Sequence, residues 1–447
     1  MNSDFSKGAM WKCILRQAVP LTVAQVVQLL YNVVDRIYIG HMGNGDSIAL
    51  TGVGLTFPII TIIMAFTALF GVGGVPLFSI ARGADAEEKA RKILGNSAAL
   101  LLFSSVVLTV MCYALKKTLL YAFGASEESF LYADGYLSVY LSGTVFSMLT
   151  TGLNGYISAQ GFPGTGMLSV VIGSIVNIIL DPLFIFGFNM GVEGAALATV
   201  ISQLVSVVWV LKFLGGKKAI VPLKRKYIKI QPETTKEISK LGFSNFIMQG
   251  TAFAVQVACN KTLQNFGGDV YVGIMTVLNS IRDIFVLPLF GIVNGSQAVI
   301  SFNYGAKLYE RVKAGIKFNT VIGFVYSAVA WVLVLVFPGV FLGLFSDDVT
   351  MIQTGINALH IYFFGFVFMA FQFAGQTTFQ ALGDAKHAVI FSLLRKVIIV
   401  VPLTIILPYA GFGVNGVFIA EPVSNIIGGT ACYVTMRMTA YRKLEGK

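Results

Sequence analysis

Long apolar runs separated by short polar stretches recur along this chain and set its architecture. Twelve of them occupy residues 13–41, 48–81, 90–114, 131–160, 167–188, 192–214, 239–266, 271–303, 315–337, 350–382, 388–409 and 414–437. A bilayer core of about 30 Å is crossed by about 20 residues of helix, so each run predicts one crossing. The first run is too long for a removed signal peptide and lacks a small-residue cleavage pattern, so a mature span is expected there. The pattern predicts an all-α polytopic membrane protein.

The same pattern repeats internally. Shifted by 222 residues, Ser79-Ile-Ala-Arg-Gly83-Ala falls on Ser301-Phe-Asn-Tyr-Gly305-Ala, Ala159-Gln-Gly161 on Ala381-Leu-Gly383, and Gly191-Val-Glu-Gly194-Ala on Gly413-Val-Asn-Gly416-Val. One offset held over roughly 110 residues of each half marks a duplication rather than chance. Six spans per copy is an even number, so both copies enter the membrane in the same direction. Two six-helix lobes are expected, related by a pseudo-two-fold axis along the membrane normal with a cleft between them. The expected divisions are 1–214 for the first lobe, 215–238 for a linker and 239–447 for the second lobe.

Composition agrees and narrows the class. Hydrophobic residues make up 56% of the 447 and charged residues 12%, with mean hydropathy +0.78, which places the chain outside the soluble range. The net charge of +11 raises the question of nucleic acid, but the distribution of the bases answers it. Most of the 32 basic residues fall in alternate polar stretches, including Lys7, Arg82, Lys89, Arg91, those in and beside the linker from Lys212 to Lys240, Arg311 and Arg442. Asp46, Glu127, Glu128, Glu193, Asp269, Asp347 and Asp348 lie in the others. The positive-inside rule then predicts both termini in the cytoplasm of a cell whose plasma membrane holds the protein. The basic linker is expected to lie against anionic lipid, and no nucleic-acid partner is expected. Cys13, Cys112, Cys259 and Cys432 are scattered within apolar runs and read as small core residues.

Charged side chains deep in a span are costly and mark candidate sites. They are Asp35, Arg36, Asp181, Lys261, Arg282, Asp283, Arg395, Lys396 and Glu421. Asp35 lies late in the first span. Asp181 lies in the fifth, four residues after Asn177 and therefore on the same helix face. Pro182 has no N–H for the carbonyl of Ile178, so a bend and a free oxygen are expected beside the acid. Two carboxylates at similar depth suit either a hard cation or a shared proton. Alternatively, Asp35 pairs with Arg36 and Asp181 caps a broken helix. The second copy lacks the acids: Asp35-Arg36 falls on Asn260-Lys261 at a local shift of 225, Asp181 falls on Leu403, and Thr199 falls on Glu421. Lys261, Arg282, Asp283, Arg395, Lys396 and Glu421 are therefore expected either to form an internal charge network or to contact substrate. Aromatic residues in the cleft would favour bulky amphipathic substrates.

No GxxxxGK[ST] loop, HExxH, GxSxG or cluster of metal ligands occurs, so ATP-driven transport and membrane-enzyme chemistry lack their apparatus. Secondary transport is the class that remains. The runs Tyr31-Asn-Val-Val-Asp35-Arg-Ile-Tyr-Ile-Gly40, Gly54-Leu-Thr-Phe-Pro58, Gly71-Val-Gly-Gly-Val-Pro76 and Ser79-Ile-Ala-Arg-Gly83 resemble the multidrug and toxic compound extrusion (MATE) family. The likeness extends over essentially the whole chain. It implies an antiporter, without an organic cofactor, that exports drugs or organic cations in exchange for Na+ or H+. The DinF-like branch, which includes MepA-like exporters, carries a cation site that maps onto Asp35, Asn177, Asp181 and Thr199, with Asn154 of the fourth span a weaker match. The acids that the NorM-like branch uses in its seventh and tenth spans are missing here, where Gln256, Asn260, Lys261, His360, Gln372 and Gln376 stand. A flippase for lipid-linked polysaccharides of the same superfamily is the alternative. A monomer among membrane lipids, with small-molecule drugs as its partners, is expected.

Overall fold

The computed structural model describes residues 4–39, 46–345 and 349–445, and it is built of helices. Asp347, Asp348 and the side chains of Arg36, Asp46 and Asp269 lie outside the described residues. Nine described segments are long and apolar enough to cross a membrane: Met10–Ile39, Ile48–Gly83, Glu87–Ala122, Pro163–Gly187, Gly191–Leu214, Val270–Gly305, Tyr309–Val336, Met351–Ala381 and Ala385–Glu445. Two more crossings flank glycines. One is formed by Glu127–Ser142 and Thr144–Ala159 on either side of Gly143. The other, 232–267, is the first part of the run Pro232–Gly305, which Gly268 divides with φ of 69°. The last of the nine divides at Gly411 and Gly413, with φ of 100° and 53°, because only glycine holds such angles without strain. Nine, two more, and one divided in two make twelve spans, numbered here in chain order.

Each half builds its own core. Ile63, Phe78, Leu94, Leu101, Leu153, Tyr156 and Val210 pack together in the first, and Leu278, Ile281, Leu289, Val334, Leu359, Phe363 and Phe418 in the second. Val107 and Val110 on the third span are exposed, as are their repeat partners Val329 and Val332 on the ninth. Such valines are at home against acyl chains.

The halves meet reciprocally. A Cβ on Gly83 would stand 1.9 Å from the Phe302 carbonyl oxygen, and one on Gly305 would stand 2.0 Å from that of Ile80. Gly83 and Gly305 are repeat partners, as are Ile80 and Phe302, so each contact is the image of the other, as a two-fold relation requires. Higher up, Gly73 of the second span lies against Gly242 of the seventh, while Gly295 of the eighth lies against Ala18 of the first. These close approaches all fall in the half of the bundle that carries the two termini and the linker.

Ordered straps cover that end. The sixth span stops at Leu214 and the seventh begins at Pro232, so the intervening basic stretch is shorter than the sequence alone suggests. It is also packed onto the first half. Val221 N–H donates to Gln160 Oε1 at 2.9 Å, and Tyr227 is buried against Gly95. Asn96 Nδ2 donates to the Gln231 carbonyl at 3.2 Å, and Thr235 Oγ1 donates to Asn96 Oδ1 at 3.1 Å. On the second half, Arg311 donates to the carbonyls of Phe5 at 2.9 Å and Gly8 at 2.6 Å, holding the N-terminal segment with the Phe5 ring buried.

Candidate ion and substrate sites

The fifth span carries Asn177 and Asp181 one turn apart on its buried face, and both are fully buried. Pro182 keeps helical angles, with φ of −63° and ψ of −30°, and the turns widen after it over Leu183–Gly187. The helix therefore absorbs the missing N–H without breaking. Asn177 Nδ2 donates to Asp181 Oδ1 at 3.1 Å and to Thr199 Oγ1 of the sixth span at 3.4 Å. Asp35 of the first span faces Asp181 closely enough for the two carboxyl groups to share a hydrogen bond. The phenols of Tyr31 and Tyr136 stand within electrostatic reach of both carboxyls.

This cluster can take a cation. Asn177 Oδ1 and Asp181 Oδ2 are buried without a hydrogen-bond partner, and a buried acceptor left unpaired is costly unless something fills it. With Asp35 and the Thr199 hydroxyl, the set is made entirely of oxygens, which suits a hard monovalent cation or a proton. Among the described residues no group of three or more His, Cys, Asp or Glu is arranged for a metal, so a transition-metal centre is a poorer description. Asn154 is placed elsewhere. Its Nδ2 donates to Ser169 Oγ at 2.8 Å and to the Gly166 carbonyl at 3.1 Å, and Ser169 is about 12 Å along the fifth helix from Asn177 at 1.5 Å per residue. The alternative pairing of Asp35 with Arg36 lies outside the described side chains.

The second half holds a different chemistry at the related place. Arg395 Nη2 donates to Glu421 Oε1 at 2.8 Å, and Lys396 Nζ approaches the two carboxylate oxygens of Glu421 at 3.2 and 3.3 Å. Arg282 donates to Asp283 at 3.3 Å and to the Tyr362 hydroxyl at 3.1 Å. Tyr362 in turn donates to Asn279 Oδ1 at 3.0 Å, and Asn279 donates to Gln256 Oε1 at 2.9 Å. Lys261 stands apart from this network with an exposed side chain.

A cavity of about 280 Å³ opens within the first half, beside its first, second, fourth, fifth and sixth spans, and the eighth span of the second half borders it. Amides and hydroxyls dominate its polar lining, among them Gln25, Gln28, Gln203, Asn294 and Gln297, and among the described residues no ionised side chain lines it. Tyr31, one turn before Asp35, is part of the wall, so the acidic cluster adjoins the cavity through this residue. Tyr31 was legible at the i, i−4 position to Asp35. Tyr136 reaches the acids only through tertiary packing and carries no local signal.

Comparison with known proteins agrees with this architecture. A family model described as MatE matches residues 20–183 and 241–406, one block in each half. The multidrug export protein MepA of Staphylococcus saprophyticus is 26% identical over 441 residues, covering 98% of this chain and 95% of that protein. MepA of Staphylococcus aureus is 25% identical over 439 residues, again covering 98% and 95%. A solved outward-facing multidrug resistance MATE family transporter superposes with a TM-score of 0.92 at 25% identity, over 100% of this chain and 99% of that one. A MATE structure in a bent conformation gives a TM-score of 0.91 at 26% identity, over 98% of each chain. On the match of both halves to the family model, this chain belongs to the MatE family: it is an integral membrane transporter and not an enzyme.

Proposed function

We propose that this protein is a cation-coupled multidrug efflux antiporter, exporting amphipathic, often cationic organic compounds by alternating access in exchange for Na+ or H+. The observation that carries the reading is the cluster that joins Asp35 to the buried Asn177, Asp181 and Thr199, with unpartnered oxygens on Asn177 and Asp181. Multidrug export, the role for which the MepA relatives are named, supports the substrate class. In this reading the membrane is the plasma membrane, both termini are cytoplasmic, and the close glycine contacts shut the cytoplasmic side of an outward-open cavity.

The coupling follows from which spans hold the site. A cation or proton that binds between Asp35 and Asp181 lowers the repulsion between the two acids and draws the first span toward the fifth. Tyr31 lies on that first span and on the cavity wall, so the same movement reshapes the space available to substrate. An ion with unequal affinity for the two conformations is what biases the equilibrium.

The test is ethidium or fluoroquinolone export from proteoliposomes with Na+ and pH gradients imposed separately. Asp35→Asn and Asp181→Asn, inserted at normal levels, should abolish gradient-driven export; undiminished export by both variants would show that the site is elsewhere. Translocation of a lipid-linked oligosaccharide without dye export would favour the flippase alternative.

A further inference from the structure

The two halves carry polar clusters at repeat-related positions, and their charges are opposite. In the first half Thr199 of the sixth span accepts from Asn177, which also donates to Asp181. In the second half the same position is Glu421, which is met by Arg395 and Lys396, with Arg282 nearby. Tyr140 of the fourth span has Tyr362 of the tenth as its repeat partner, and Tyr362 contacts Arg282. Arg282, Lys396, Glu421, Tyr362, Asn279 and Gln256 enclose a cavity of about 50 Å³. A water molecule needs about 10–15 Å³ by the same measure, so the space exceeds one water.

The balance inside the chamber is positive. Arg282 and Lys396 line the chamber against one buried acid, Glu421; Arg395 meets Glu421 from outside this lining, and Asp283, which accepts from Arg282, has a side chain 51% exposed. Glu421 is already engaged by both Arg395 and Lys396. The surrounding acceptors are engaged as well, since Asn279 Oδ1 takes the Tyr362 proton and Gln256 Oε1 takes one from Asn279. Each amide keeps a second N–H, Arg282 has five N–H groups and Lys396 three. Positive charge and spare donors around a small enclosed space in a membrane protein favour an added negative charge there.

We infer that this second-half chamber binds a small monovalent anion, either a halide or the carboxylate of a small organic acid, held by Arg282 and Lys396. The inference is independent of the identity of the coupling ion, because its test measures equilibrium binding without transport.

The purified protein is melted in chloride, in acetate and in gluconate at one ionic strength, and crystals are soaked in bromide. Saturable stabilisation by chloride over gluconate, with an anomalous bromide peak between Arg282 and Lys396, supports a halide site. Stabilisation by acetate alone supports the carboxylate form. Arg282→Met and Lys396→Met should each weaken the anion's effect about tenfold or more, the scale of one lost charge-assisted hydrogen bond, while the exposed Lys261→Met leaves it unchanged. Equal melting in all three salts, with no bromide in the chamber of the unaltered protein, overturns the inference even if the chamber variants fail to fold. An equal loss in Lys261→Met overturns the assignment to this chamber.

Discussion

Replacing Gly83 by alanine tests whether the reciprocal glycine contact holds the halves together. The new Cβ would sit 1.9 Å from the Phe302 oxygen, where ordinary contact begins at 3.4 Å, so the second and eighth spans must part by about 1.5 Å or distort. Over-packing of this kind costs roughly 1–3 kcal/mol. At about 2 kcal/mol, the equilibrium between the closed arrangement and one with these ends apart shifts about 30-fold. Spin labels at Lys89→Cys and Glu310→Cys, whose side chains are 57% and 88% exposed, report the separation of the two ends by pulsed electron resonance. The four native cysteines are buried and should stay unlabelled. Gly83→Ala should populate longer distances, Gly305→Ala should do the same because its Cβ meets the Ile80 oxygen at 2.0 Å, and Gly250→Ala should not, since nothing lies within 4 Å of its Cβ. An unchanged distance distribution in both Gly83→Ala and Gly305→Ala would refute the reasoning.

Other perturbations follow from the sites. Asn177→Leu removes the amide that joins Asp181 to Thr199 and should weaken the apparent affinity for the driving ion about tenfold, read from export rate against Na+ or proton concentration. Glu421→Gln leaves Arg395 and Lys396 without their shared carboxylate and should cost about 3–5 kcal/mol of stability, visible as a lower melting temperature in detergent; unchanged melting would mean that the ion pairs contribute little. Arg311→Ala frees the carbonyls of Phe5 and Gly8 and should make the N-terminal segment susceptible to protease while the spans stay intact, as seen by mass analysis of the fragments.

The parts of the fold that depend on local pattern were legible. Twelve apolar runs and the repeat at 222 residues carry the architecture, because span length is fixed by bilayer thickness and duplication leaves glycines such as Gly83 and Gly305 in register. The reciprocity of those glycines was not legible, since it depends on how two spans cross. Asn177 and Asp181 could be paired from a spacing of four. The nearness of Asp35 to Asp181 could only be expected from similar depth, and Tyr136 gave no sign of joining them. Asn154 shows the opposite case: an amide at a plausible position whose Nδ2 turns to Gly166 and Ser169. Charges in the second half were all visible, yet nothing in the sequence separates exposed Lys261 from buried Arg395. The basic linker reads by composition as a loop against anionic lipid, whereas Tyr227 and Val221 pack onto the first half because Gly95 leaves room and Gln160 offers an acceptor.

That packing divides the molecule differently from the gene. Asn96, on the third span, holds both the Gln231 carbonyl and the Thr235 hydroxyl, and Lys89 pairs with Glu237 at 3.3 Å. The opening turns of the seventh span are thus clamped to the first half, although the repeat assigns them to the second. Any rocking of one half on the other that keeps these bonds must flex the seventh span beyond the clamp. The mechanical boundary between the moving bodies then lies within a membrane helix, and the length of the linker places no limit on the stroke.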